Sequence, residues 1–137
     1  LSTFLASYRF LDYLYVSKIL LSVEPFDTVD IVSSMDPTVW LPREGERFGS
    51  GDPATIGMWK ENLLTNGIDV DSSISPDLVF KGLTTFIEYH KKEYNFDAQD
   101  CLELLYNMKK DPAAHKDLWD KWKEIIAKSP EVSFNIK

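Results

Sequence analysis

Two histidines, one cysteine and scattered carboxylates make up the covalent and acid–base repertoire of this chain of 137 residues. His90 shares a helical stripe with Val79, Leu83 and Phe86, where a core histidine holding one hydrogen bond is expected rather than a general base. His115 falls in the first turn of a helix and is expected in solvent. Neither has the carboxylate and nucleophile that a triad requires beside it. Cys101 stands next to Leu102, Leu104 and Leu105, which predicts a buried, inert thiol. A lone cysteine excludes an intrachain disulfide and a cysteine-based zinc site.

Other patterns fail on spacing. Asp69-Val70-Asp71-Ser72-Ser73 opens like a calcium loop, but such a loop needs glycine at its sixth position and an acid at its twelfth. Ile74 and Phe80 stand there. Gly45, Gly49 and Gly51 follow no predicted strand and lack the Lys-Ser/Thr that closes a phosphate loop. The carboxylate pairs Asp97/Asp100 and Glu44/Glu46 are explained by helix capping and by a solvated loop. A glycosidase pair needs a separation across a cleft that spacing does not define. Trp119 and Trp122 stand at helical spacing, as core residues do. No cofactor or metal is implied, and the chain does not read as an enzyme. A hydrolase built from scattered carboxylates is the catalytic alternative.

Hydrophobic residues make up 44% of the chain and aromatics 13%, ample for a core. The length fits one domain, residues 1–137. Twenty-two acidic against 15 basic residues leave a net charge of −7, which repels a phosphate backbone and argues against nucleic acid as a partner. The apolar run from Leu1 to Val23 is broken by Arg9, Asp12 and Lys18, so it is expected to be a core helix and not a membrane span. A signal peptide would show a basic start and a small-residue cleavage site, and the run has neither. Unpaired cysteine chemistry and the absence of a span point to the cytoplasm.

Helices must position whatever function there is. Phe4, Tyr8, Leu11, Tyr15 and Ile19 recur with the period of one helical face, which predicts a helix ending near Glu24-Pro25. A short helix over about Phe26–Ser34, with Val29 and Val32 inward, precedes a loop rich in Pro and Gly from Asp36 to Asp52. Asp52-Pro53, Ser75-Pro76 and Asp111-Pro112 each set a side-chain acceptor at a cap and a proline at the first helical position. The helix after Pro53 turns Ile56, Trp59 and Leu63 inward and stops at Asn66-Gly67. The one after Pro76 carries Val79, Leu83, Phe86, His90 and Tyr94 on one stripe. Asp97 is expected to cap a helix with Cys101, Leu104, Leu105 and Met108 inward. The one after Pro112 buries Leu118, Trp119, Trp122, Ile125 and Ile126 and stops at Ser129-Pro130. The alternation of Val132, Phe134 and Ile136 predicts a short C-terminal strand.

The chain also resembles itself. Phe10-Leu11-Asp12-Tyr13 matches Phe86-Ile87-Glu88-Tyr89, and Phe26-Asp27-Thr28-Val29-Asp30 matches Phe96-Asp97-Ala98-Gln99-Asp100. Met35-Asp36-Pro37 echoes Met108 followed by Asp111-Pro112, and Trp59-Lys60-Glu61 matches Trp122-Lys123-Glu124. Four matches in one order predict two degenerate repeats, about 4–66 and 76–128. The expected fold is an all-α bundle of about six helices with that short strand. Repeated aromatics are then scaffold, whereas insertions on repeats map to loops that carry function. The insertion between Pro37 and Pro53 makes Trp40, Arg43, Glu44, Glu46 and Arg47 the candidate partner-binding residues. Asp69 and Asp71, at the junction of the halves, join them.

The string from Met35 through Asp52-Pro53 to Trp59, after an aromatic N-terminal helix, resembles small helical bacterial proteins. Among these are immunity proteins that neutralise polymorphic or contact-dependent toxins. The resemblance implies a non-catalytic, toxin-neutralising protein whose partner is another protein, in the concrete case a cationic toxin domain. It transfers no binding residue. A structural or oligomeric helical domain is the other non-catalytic reading.

Overall fold

Capped, amphipathic segments form helices in the computed structural model, which describes residues 2–20, 31–32, 35, 53–68, 75–94 and 98–134. In order these are α1 (Ser2–Val16), α2 (Pro53–Thr65), α3 (Pro76–Tyr94), α4 (Gln99–Lys110) and α5 (Lys116–Phe134). A short 3-10 turn, Pro112–His115, leads into α5. No strand occurs among the described residues, and the fold is all-α. Ile31, Val32 and Met35 are helical and buried, in and just beyond the stretch where a short helix is expected; Val29 lies outside the described residues.

Two of the expected N-terminal caps are made. The Leu78 N–H donates to Ser75 Oγ at 3.2 Å, and the Ala114 N–H to Asp111 Oδ1 at 3.3 Å. Both satisfy orphan donors at a helix start. At the end of α2, Gly67 takes φ +69, the Ile68 N–H reaches the Leu63 carbonyl, and the Gly67 N–H reaches Leu64. That pairing is the Schellman closure that Asn66-Gly67 predicts.

Several boundaries differ from expectation. α1 ends at Val16, well before Glu24, because Lys18 turns into the left-handed region at φ 60 and the Leu20 N–H folds back onto the Leu14 carbonyl. α4 starts from Ala98, which has no side-chain cap, in place of Asp97, which lies outside the described residues. Asp111-Pro112 opens the 3-10 turn, so α5 begins at Lys116. α5 also continues through Pro130 to Phe134, so residues 131–134 are helical and not a strand. A proline inside a helix removes one hydrogen bond, here to the Ile126 carbonyl, and crowds that carbonyl, yet α5 runs on for a further turn. Among the described residues an extended tail would have had no neighbouring strand to pair its backbone. Residues 135–137 lie outside the described set.

Burial follows the predicted faces with local exceptions. Val79, Leu83, Phe86 and His90 are buried on α3, but Tyr94 is 52% exposed at its end. On α4, Cys101, Leu105 and Met108 are buried; Leu102 joins them, and Leu104 only packs against their edge. Trp119 and Trp122 are buried on α5, with Leu118, Ile125 and Ile126 half-buried beside them. α1 departs most. Phe4, Leu5, Ala6, Ser7, Phe10, Leu11 and Leu14 are all buried, Tyr8 and Tyr15 are half-buried, and Ile19 is 42% exposed. A helix buried over so wide an arc is central and not a one-stripe surface helix.

Its neighbours explain that. α1 packs most extensively against α5. Phe10 meets Trp122, Lys121 lies over the Tyr13 ring, and Ile19 shares a hollow with His115, so the two helices run antiparallel. α1 also lies beside α3, and the tryptophans join them. Trp59 packs edge-on against Phe4 of α1 and Phe86 of α3, with ring centroids 6.2 and 5.2 Å away. Trp122 packs against Phe10 of α1 and Phe80 of α3, at 5.2 and 5.8 Å. Phe4 is thus level with Phe86 and Phe10 with Phe80, which makes α1 and α3 antiparallel. Edge-to-face rings of this kind gain about 0.5–1.5 kcal/mol per pair beyond their burial.

α2 crosses α3 at Gly82, where a Cβ would come within 2.9 Å of Leu63 Cδ2. The missing side chain lets Asn62 Nδ2 donate to the Gly82 carbonyl at 2.8 Å. Thr85 Oγ1 donates to Asn62 Oδ1 and accepts from Asn66 Nδ2, closing a polar layer over the crossing.

Candidate functional site

All seven candidate partner-binding residues lie outside the described residues: Trp40, Arg43, Glu44, Glu46 and Arg47 of the insertion, and Asp69 and Asp71 of the junction. The structure therefore brings none of them together and separates none. By sequence, the stretch between Pro37 and Pro53 and the junction at Asp69 and Asp71 together carry Glu44, Glu46, Asp52, Asp69 and Asp71 against Arg43 and Arg47.

The strongest titratable candidate among the described residues is His90, only 5% exposed. Its Nδ1 lies 2.9 Å from the Phe86 carbonyl one turn back, so that nitrogen carries the proton. Phe86, Tyr94 and Tyr89 surround the ring with centroids 4.5, 5.7 and 5.9 Å away. Burial holds its pKa below the ordinary 6.5, against the opposing pull of the carbonyl. The lowered pKa keeps the imidazole neutral at pH 7, packed against aromatic rings of its own helix. Beside it, the Tyr89 hydroxyl is pushed up by its hydrogen bond with Tyr94.

Polar side chains on the exposed edge between α3 and α4 pair with one another. Tyr106 donates to Glu88 Oε2 at 2.6 Å, and that bond holds the phenol proton up to about 12. Lys91 donates to Gln99, which donates to Glu103. On α5, Lys116–Asp120 and Lys128–Glu124 are exposed pairs one turn apart, screened by solvent and of little consequence for stability. Cys101 is buried, as expected. Asp100 is exposed; its partner in sequence, Asp97, lies outside the described residues.

His115 is half-buried and not fully solvated. It helps line an open hollow of about 630 Å³ with Tyr13, Ile19, Ala113, Lys116 and Leu118. Sequence reasoning missed this hollow, because it arises where the end of α1 meets the 3-10 turn, ninety-odd residues later. Thr3 was missed as well: its Oγ1 accepts the Trp59 indole N–H at 3.1 Å. A small polar residue in the first turn of an apolar helix was its only signal.

Among the described residues no group of three or more His, Cys, Asp or Glu side chains could hold a metal ion, and no helix is long and apolar enough to cross a membrane. In comparison with known proteins, no family model, curated protein or solved structure matches the chain.

Proposed function

We propose that this chain is a non-catalytic protein-binding domain, most concretely an immunity protein that neutralises a cationic toxin domain in the cytoplasm. The observation that supports the reading is the net charge. The chain carries 22 acidic against 15 basic residues, a net charge of −7, and net negative charge speeds encounter with a basic partner through long-range steering. Such a role needs a stable scaffold and no catalytic group.

The experiment identifies a partner by pulldown and then replaces Glu44, Glu46, Asp69 and Asp71 with Gln or Asn, which takes the net charge from −7 to −3. Each change keeps the side chain's size, and if it lies at the surface as proposed it alters stability by under about 0.5 kcal/mol. Association should slow, and its salt dependence should flatten, because rim charges act mainly on the on-rate. An unchanged rate and salt slope in the folded variant would remove these segments from recognition.

We propose further that the two halves are copies of one unit, related by an approximate two-fold. The support is a set of crossed contacts. Exchanging Phe10 with Phe86, Phe4 with Phe80, and Trp59 with Trp122 turns each of the four contacts that Trp59 and Trp122 make with these phenylalanines into another of the four, although Phe80–Trp119 has no counterpart, because Ile56 stands where Trp119 would. Each indole N–H also bonds within the first residues of its own half, to Thr3 or to Pro76. In copies, deleting either tryptophan costs the same; clearly unequal losses would overturn the duplication.

A further inference from the structure

We draw no further inference here: the strongest candidate, the open hollow between the end of α1 and the 3-10 turn that leads into α5, mixes apolar and oppositely charged side chains, and nothing in the structure shows what covers it.

Discussion

Trp59 and Trp122 sit between the same two helices, yet their indole N–H groups are held differently. Trp122 donates to the Pro76 backbone carbonyl at 3.0 Å, whereas Trp59 donates to the Thr3 hydroxyl at 3.1 Å. A carbonyl at a helix start is present whatever the side chain. A hydroxyl exists only while Thr3 does. The regions around them differ in the same sense. On α1 Leu14 follows Tyr13, whereas on α3 His90 follows Tyr89. Matched packing positions thus tolerate unmatched polar solutions, because aromatic burial decides the architecture and single polar groups adjust it.

The largest expected effect tests the match itself. Trp59 and Trp122 are 1% and 0% exposed, and either truncation to alanine should cost about 3–5 kcal/mol in a urea melt, as large aromatic deletions in cores do. A loss at one site several-fold smaller than at the other would break the equivalence.

The next test isolates the difference. Thr3→Val keeps the shape and removes the acceptor, so the Trp59 N–H loses its partner at a cost of about 1–2 kcal/mol. In a Trp59→Phe background the same change should cost almost nothing. Full additivity of the two substitutions would show that the hydrogen bond contributes nothing.

Acid should distinguish α3 from α1 at His90. Its folded pKa lies below the 6.5 of an ordinary imidazole, so the unfolded chain takes up the proton first. The contribution is fully present above pH 6.5 and declines as pH falls from there through the lowered folded value. His90→Leu, which copies Leu14, should remove that component of the decline in melts between neutral and mildly acidic pH. An unaltered slope would mean that other groups govern acid sensitivity.

The smallest effect is at the helix ends. Lys18 holds φ 60, a region that strains a side chain and suits glycine, so Lys18→Gly should stabilise by about 0.5–1 kcal/mol. Gly67→Ala, at φ +69, should destabilise by about 1 kcal/mol. A destabilised Lys18→Gly variant would show that the lysine side chain contributes more at that turn than its backbone strain removes.

Much of this molecule was determined by sequence alone. Ser75, Asp111 and Gly67 specify their caps through local chemistry, and the apolar stripes of α3 and α5 name most of their buried residues, because both signals act within one or two helical turns. The acidic excess, 22 carboxylates against 15 basic side chains, is likewise a property of the sequence. Only the tertiary structure decided where Tyr94 and Ile19 emerge, that α1 is buried around most of its circumference, and that Thr3 and Pro76 accept the two indoles. It also carried α5 past Pro130, where a local stop signal was expected. Each of these depends on which helix lies alongside, and that is set by contacts between residues more than forty positions apart, which no local pattern encodes.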